Sequence, residues 1–107
     1  MPNYNVMGVA KAALETSVKY LSVDLGEQDV RVNAISAGPM RTLAGAAIAN
    51  AIDVFNYTSK NSSLKRNVNL DELGNSALYL VSDLSSAITG EIHYVDCGFN
   101  IIGMPKS

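Results

Sequence analysis

A tyrosine and a lysine near the amino end have a spacing that suits chemistry at a carbonyl group. Tyr4 and Lys11 lie seven positions apart in a stretch without proline. Seven helical steps of about 100° fall just short of two turns, so both side chains project from one face, about 10 Å apart along the axis. Helical side chains lean toward the amino end, so Lys11 reaches back toward Tyr4. A phenol that donates to a developing oxyanion, beside an ammonium that stabilises phenolate character, supports reduction.

The element that must position this pair is predicted to be a helix from residue 4 to about residue 25. Its apolar residues recur at intervals of three and four, which is the helical period. They are Val6, Ala10, Ala13, Leu14, Val18, Leu21 and Leu25. Small residues such as Gly8 and Ala12 would let a neighbouring backbone approach, so we expect two buried faces. Gly26 is predicted to stop the helix.

Two strands and further helices are predicted downstream. Residues 30–35 alternate apolar and polar side chains before a break at 36–39, which predicts a strand that ends in a loop. Residues 43–65 are predicted to form a mobile helical segment. Asn69 is predicted to cap a helix that ends near Ser82, with Asp71 and Glu72 in its first turn. Residues 92–95 are the second predicted strand.

This order of elements predicts an α/β fold in which a right-handed βαβ unit makes the two strands parallel. Two parallel strands alone leave both sheet edges unpaired, whereas stable parallel sheets have more strands and cover on both faces. A doubly wound sheet also holds pyrophosphate at a glycine-rich turn, and no G-x-G-x-x-G cluster opens a helix in this sequence. We therefore expect residues 1–107 to be the carboxyl-terminal half of one domain whose nucleotide-binding half lies upstream.

Composition excludes several classes of function. The 107 residues carry a formal net charge of −2 with no basic stripe, so nucleic acid is not an expected partner. One cysteine, Cys97, and one histidine, His93, leave no disulfide framework and no zinc-ligand cluster, so we expect metal-free chemistry. Without a run of about 20 apolar residues or a signal-peptide layout, we expect no membrane association and a cytoplasmic location.

Motifs along almost the whole sequence resemble those of the NADH-dependent enoyl-acyl-carrier-protein reductases, a divergent branch of the short-chain dehydrogenase/reductase family. They are residues 2–8 with Lys11, then 31–42, 74–77, 82–85, 88–91, 95–96 and 98–99. In this branch six residues separate the tyrosine from the lysine, whereas the ketone and alcohol reductases of the superfamily have three. Gly8 stands where those enzymes have lysine. A 3-oxoacyl or alcohol dehydrogenase is therefore the less favoured alternative reaction.

The resemblance implies a Rossmann-like doubly wound parallel sheet, to which this chain contributes two strands and about three helices. It also implies that NADH reduces the trans-2 double bond of enoyl thioesters carried on acyl carrier protein, in type II fatty acid biosynthesis. Tyr4 would stabilise the enolate and Lys11 would hold the nicotinamide ribose. The implied cofactor-binding residues are Lys11, Met40, Arg41, Thr42, Leu43 and Ala44. The implied substrate-binding residues are Tyr4, Ala44, Gly45, Ile48 and Ala51.

Other implications concern what surrounds the site. The family has another active-site tyrosine ten residues before the position of Tyr4, which lies outside this sequence, so we expect an incomplete site. Cys97 stands where the family has a second glycine beside Gly98, and must take an ordinary backbone conformation or accept strain. The complete protein is implied to be a homotetramer in the bacterial cytoplasm or the plastid stroma. The alternative to an enzyme is a non-catalytic truncated fragment that acts only in subunit packing. His93 is given no role.

Overall fold

In the computed structural model of the protein, residues 4–42 and 50–104 are described. These residues form three α-helices, which are α1 (Asn5–Gly26), α2 (Ala51–Asn61) and α3 (Leu70–Val81). They also form two strands, β1 (Ala34–Ala37) and β2 (Ile92–Val95). Short 3-10 helices cover Asp83–Ser85 and Phe99–Ile101. The strands pair in a two-stranded sheet. The predicted α/β class, with two strands and about three helices, is confirmed.

The strand register shows that the sheet is parallel. The amide of Ala34 donates to the carbonyl of Glu91 (2.9 Å), and the amide of Gly38 donates to the carbonyl of Val95 (3.0 Å). Donor and acceptor both advance by four residues, so the strands run in the same direction. The carboxyl ends of β1 and β2 consequently meet at one edge of the sheet, where open α/β sheets bind their ligands.

The first strand lies later in the sequence than predicted. We expected it over residues 30–35 with a break at 36–39, and this placement is wrong because β1 is Ala34–Ala37. Residues before it bond to a loop instead of to a strand: the Val32 amide donates to Thr89 Oγ1 (3.1 Å), and its carbonyl accepts from the Gly90 amide (2.7 Å). Residues 30–35 do alternate apolar and polar side chains, but the polar side chains form hydrogen bonds to this loop.

Arg31 and Asn33 tie the loop of residues 82–91 in place. The Arg31 guanidinium donates to Ser85 Oγ (3.1 Å) and to the carbonyls of Ile88 (3.2 Å) and Ser82 (3.3 Å). Asn33 donates to the Ile88 carbonyl (3.0 Å) and accepts from the Glu91 amide (3.0 Å). Hydrogen bonds from a charged donor contribute more than neutral ones. Arg31 and Asn33 therefore form a clamp that stabilises the position of the loop.

The ends of α1 and α3 follow from local chemistry. Gly26 is the last residue of α1, and the turn beyond it closes with the Asp29 amide donating to the Gly26 carbonyl (3.0 Å). At the start of α3, Asn69 Oδ1 accepts from the Glu72 amide (2.9 Å), and Glu72 Oε2 accepts from the Asn69 amide (3.0 Å). This reciprocal capping box satisfies two backbone donors, so the predicted cap at Asn69 is confirmed.

The described residues divide into two compact units. The first comprises residues 4–35 and 79–93, and the second comprises residues 36–42, 50–78 and 94–104. Val18 and Leu80 are the buried hydrophobic side chains of the first unit, and Val68 is that of the second. Polar Ser62 and Ser85 are fully buried, and each is held by hydrogen bonds to backbone carbonyls.

Most of α1 is exposed in this chain. Val18 is its one buried residue, whereas Val6 (76%), Val9 (73%) and Val23 (76%) are largely accessible. The expectation of two buried faces is therefore wrong for the chain taken alone. The physical reason is that a sheet of two strands offers too little apolar surface to cover a 22-residue helix. Among residues 4–42 and 50–104, no helix combines the length and the apolar character that a bilayer span requires.

Candidate functional site

The amino end of α1 positions the phenol of Tyr4. Tyr4 occupies the N-cap position, is half-buried, and accepts a hydrogen bond from the Gly8 amide at its carbonyl (2.7 Å). Its ring lies along the first turn, because a Cβ built on Gly8 would be 3.7 Å from Tyr4 Cδ1. Gly8 thus leaves one side of the ring without a neighbouring side chain. A phenol at this position lies at the positive end of the helix dipole, which favours a developing negative charge.

Lys11 lies two turns further along the same helix. α1 is continuous from Asn5 to Gly26 and includes Lys11, whereas Tyr4 is the N-cap residue, with φ of −119° and ψ of 15°. The Lys11 side chain is exposed. An exposed ammonium on a regular helix can bind hydroxyl groups of a ligand without breaking an internal ion pair. The chemical roles of both residues stay predictions at this point.

In the second unit, the loop after β1 passes close to the loop after β2. A Cβ on Gly38 would lie 3.2 Å from Asp96 Cα, 3.3 Å from Asp96 Cβ and 3.4 Å from Val68 Cγ1. Such a contact is tighter than almost all real Cβ contacts, so a larger residue would displace one of the two loops. Glycine at this position therefore fixes the course of the chain into Pro39 and Met40.

The residues that follow Gly38 include three that the sequence predicted to bind a cofactor. Met40 is half-buried, whereas Arg41 and Thr42 are exposed. The guanidinium carbon of Arg41 lies 5.2 Å from the centroid of the Phe55 ring on α2. This is a cation–π contact. Sequence reasoning placed Arg41 in the loop but missed Phe55, because no local pattern links the two positions.

Four predicted site residues, Leu43, Ala44, Gly45 and Ile48, lie outside the described residues. Ala51, the last of the predicted substrate residues, is the first residue of α2 and is half-buried. Asn50 precedes it in the left-handed conformation, with φ of 62°. Asparagine tolerates this conformation better than most residues, so Asn50 sets the direction in which α2 departs.

A pocket of about 310 Å³ in the second unit was not predicted from the sequence. Its lining includes Arg66, Glu72, Tyr94, Asp96, Cys97 and Asn100. Arg66 and Glu72 form an ion pair at 2.6 Å on its rim. The hydrogen bond from Arg66, together with that from the Asn69 amide, lowers the pKa of Glu72 below its ordinary value of 4.5. The same hydrogen bond raises the pKa of Arg66.

The turn after β2 holds Cys97 in a left-handed backbone conformation. Its φ is 56°, and that of Gly98 is 77°. The Asp96 carboxylate organises the turn by accepting from the amides of Gly98 (3.0 Å) and Asn100 (2.9 Å). Of the two outcomes expected for a cysteine at this position, strain is therefore the one observed. The sequence contained a signal for this strain, because the family has two glycines in this turn and the chain has Cys97 in place of one of them.

His93 on β2 contacts Glu91, which directly precedes the strand, and Tyr79 on α3. Its Nδ1 lies 3.4 Å from Glu91 Oε1, and its ring centroid lies 6.4 Å from that of Tyr79. Both partners belong to the first unit. These contacts are typical of a hydrogen-bonded side chain on a strand, and they add no chemical role to His93.

Comparison with known proteins extends over nearly all of the chain. A family model described as Enoyl-(Acyl carrier protein) reductase matches residues 1–100. The protein named NADH enoyl-acyl-carrier-protein reductase 2 of Rhizobium meliloti is 64% identical over 105 residues, which are 98% of this chain and 39% of that protein. The protein of Rickettsia typhi named as the corresponding NADH reductase FabI is 58% identical over 106 residues, 99% of this chain and 41% of its own length.

Solved structures show the same similarity. FabI from Candidatus Liberibacter asiaticus superposes with a TM-score of 0.94 at 60% identity, covering 99% of this chain and 41% of that one. The enoyl-acyl-carrier-protein reductase of Anaplasma phagocytophilum, solved in complex with NAD, gives a TM-score of 0.92 at 56% identity and covers 100% and 41%. The chain thus spans about two fifths of the length of the relatives that it matches.

Proposed function

Because the chain belongs to the enoyl-(acyl carrier protein) reductase family, we propose that it supplies the carboxyl-terminal part of an enzyme that reduces enoyl-acyl-carrier-protein thioesters with NADH. The observation that carries this proposal is the family match over residues 1–100, which include Tyr4, Lys11 and the loop after β1. Relatives are more than twice as long, so we propose that the nucleotide-binding half comes from outside residues 1–107.

Tyr4 acts on the substrate in this proposal. Its hydroxyl donates a hydrogen bond to the thioester carbonyl and stabilises the enolate that forms as the β-carbon is reduced. Its position at the amino end of α1 supports this role, because the helix dipole favours negative charge there. Gly8 supports it further by leaving room along the Tyr4 ring.

Lys11 and the loop after β1 hold the cofactor in this proposal. NADH, when bound, supplies the hydride. The Lys11 ammonium binds the ribose hydroxyls of the nicotinamide, and Met40, Arg41 and Thr42 form the binding loop, with the Met40 backbone and the Thr42 hydroxyl as donors and acceptors. This donor set suits a dinucleotide, and the loop lies at the carboxyl end of a parallel strand, where such ligands bind. Leu43 and Ala44 extend the same loop in the sequence.

The acyl chain of the substrate contacts small and aliphatic residues in this proposal. Ala51 begins α2 and is half-buried, which is compatible with a place beside an apolar ligand. Ala44, Gly45 and Ile48 precede it and have similarly small or aliphatic side chains. Together they provide an apolar lining without charge.

Assembly and location complete the proposal. The exposed apolar side chains of α1, among them Val6, Val9 and Val23, support burial against further protein in a homotetramer. Gly8 and Ala12 allow close approach of a neighbouring helix. We place this assembly in the bacterial cytoplasm or the plastid stroma, where type II fatty acid synthesis takes place.

The test uses a fusion protein in which residues 1–107 replace the matching carboxyl-terminal segment of the Rhizobium meliloti relative. We expect the fusion protein to oxidise NADH with crotonyl thioester and the chain alone to be inactive. Acetoacetyl thioester serves as the matched substrate, because its reduction would identify a 3-oxoacyl reductase instead. A fusion protein that folds but oxidises NADH with neither thioester would contradict the proposal.

That last outcome would favour the second candidate, a non-catalytic fragment that acts only in subunit packing. The specific observation in favour of this candidate is the chain's share of its relatives' length, 39% to 41%, combined with the exposed apolar side chains of α1. Such a fragment would co-purify with a complete reductase subunit but would bind no NADH of its own.

Two substitutions in the fusion protein separate the roles of Tyr4 and Lys11. Tyr4→Phe should lower kcat about 100-fold, because one oxyanion donor is lost, while the Kd for NADH changes less than about twofold. Lys11→Ala should raise the Kd for NADH about tenfold, since the ribose loses a charged donor. Steady-state rates and fluorescence titration measure these quantities.

Lys19→Ala is the matched control, because Lys19 is another exposed lysine of α1. It should leave both the Kd and kcat unchanged. An unaltered Kd for NADH in Lys11→Ala would refute the assignment of Lys11, and an unaltered kcat in Tyr4→Phe would refute that of Tyr4.

A further inference from the structure

The Arg41 side chain connects the loop after β1 to α2. Its guanidinium carbon lies 5.2 Å from the centroid of the Phe55 ring, within the range of a cation–π contact. Arg41 is exposed, whereas Phe55 is half-buried and lies in the middle of α2 (Ala51–Asn61). A planar guanidinium on a ring face loses little hydration and holds a defined orientation. The contact therefore gives the Arg41 side chain a partner on α2.

The Phe55 backbone accepts a hydrogen bond from a residue outside α2. Asn67 Nδ2 donates to the Phe55 carbonyl at 2.8 Å. Asn67 is half-buried, and within residues 4–42 and 50–104 its Oδ1 is buried without a hydrogen-bond partner. Among these residues, the bond to the Phe55 carbonyl is the hydrogen bond that the Asn67 side chain makes.

The turn before Asn67 is anchored in turn. Ser62 is fully buried, and its hydroxyl both donates to the Arg66 carbonyl (2.8 Å) and accepts from the Arg66 amide (3.1 Å). Hydrogen bonds thus link Ser62 to the Arg66 backbone, and the neighbouring Asn67 to the Phe55 carbonyl. The exposed Arg41 guanidinium lies over the Phe55 ring. All of these residues belong to the second unit.

We propose that Arg41 is a positioning residue of the cofactor-binding loop: it acts through the Phe55 ring to fix the backbone at Met40 and Thr42, and it does not itself contact NADH. This inference rests on the proposed function, because the loop is a cofactor site only there. It makes Phe55 and Asn67, which carry no charge that NADH would recognise, determinants of NADH affinity.

A double-mutant cycle in the fusion protein tests the inference. Arg41→Met and Phe55→Leu should each weaken NADH binding about threefold, the effect expected for loss of an exposed cation–π contact. If Arg41 acts through Phe55, the double variant should also bind about threefold more weakly, because the second substitution removes nothing further. Phe55→Tyr keeps the ring and should restore the original Kd.

The salt dependence of the Kd gives a second readout, which separates a positioning role for Arg41 from direct contact with NADH. A guanidinium in contact with the pyrophosphate would lose affinity as salt screens the pair, so Arg41→Met would flatten that dependence. A positioning role predicts the same salt slope before and after Arg41→Met. Lys19→Met removes one positive charge from an exposed lysine of α1 and should change neither the Kd nor the slope.

Additive penalties, with the double variant about ninefold weaker, would overturn the inference, as would a Phe55→Leu variant with unchanged affinity. Phe55→Met also removes the ring but has a flexible side chain that adapts to the space left, and it replaces Phe55→Leu should the latter fail to fold. An unsubstituted fusion protein that binds no NADH would overturn the proposed function, and the inference with it. Additive penalties in a fusion protein that binds NADH overturn the inference alone.

Discussion

Cys97 holds its backbone at φ of 56°, a conformation in which the Cβ of an ordinary residue crowds the following carbonyl. Glycine has no such cost, so Cys97→Gly should stabilise the protein by about 0.5–1 kcal/mol, after allowing for the greater freedom of glycine in the unfolded chain. Urea unfolding of the fusion protein measures this difference. Cys97→Ala is the control that keeps the strain and should be close to neutral.

Gly98 provides the opposite test in the same turn. Its φ is 77°, and a Cβ there would lie 2.7 Å from Ser63 Cβ, so Gly98→Ala should destabilise the protein by about 2–4 kcal/mol. Should Cys97→Gly lower the urea midpoint, relief of strain would not be the dominant effect at this turn.

At the residue scale, sequence reasoning is strongest where one element determines the answer. Lys11 lies on α1 and Tyr4 occupies the N-cap position at its start, whereas the chemical roles of both stay predictions. The Arg41 contact with Phe55 joins two elements whose relative placement no local pattern encodes. The same holds for Arg31, whose partners in residues 82–88 lie more than fifty positions away.

At the element scale, α3 depends on its capping box and on the ion pair between Arg66 and Glu72. The pKa of Glu72 lies below its ordinary 4.5, with the Arg66 hydrogen bond as the first cause. Since the unfolded chain takes up this proton at a higher pH than the folded one, the contribution of Glu72 is fully present above about pH 4.5. It is lost as pH falls through the lowered pKa.

The prediction is that the fusion protein loses stability as the pH falls below about 4.5 and that Glu72→Gln loses less over the same fall in pH. Urea midpoints at a series of pH values measure this loss. Asp71→Asn, a change of the same type in the same helical turn, should retain the full loss. Identical acid losses in Glu72→Gln and the original protein would show that another carboxylate is responsible.

The contrast between α3 and β1 shows which elements a sequence can predict. The cap of α3 consists of two residues three positions apart, so Asn69 and Glu72 were sufficient to predict where it begins. β1 begins and ends where β2 pairs with it, and Gly38, within the predicted break at residues 36–39, still bonds to Val95. Alternation in residues 30–35 could not reveal that their polar side chains bind a loop.

At the scale of the whole molecule, the exposed apolar residues of α1 are the main departure from an ordinary domain. Val6, Val9 and Val23 are each at least 73% exposed. Water-exposed apolar patches of this kind favour association with further protein, so they support the proposal that further protein covers α1. The chain covers 39% to 41% of the length of its relatives, which supports the same proposal.

We therefore predict that the chain alone binds a hydrophobic dye strongly and that the fusion protein binds far less per chain. Amide exchange in α1 should be at least about tenfold slower in the fusion protein, because burial suppresses local opening. Val23→Lys should reduce dye binding by the chain alone without unfolding α1. Equal dye binding by both proteins would mean that α1 is not a contact surface.

The clamp made by Arg31 and Asn33 has a consequence for synthesis of the protein on the ribosome. Its bonds to residues 82–91 join positions 51 to 58 apart in sequence, so the clamp residues leave the ribosome long before their partners. At about 5–20 residues per second, Arg31 waits several seconds without its acceptors. α1 can form during this interval, but the parallel sheet cannot close until β2 has emerged. A pause or a break in the last quarter of the sequence would thus leave β1 unpaired and accessible to other chains.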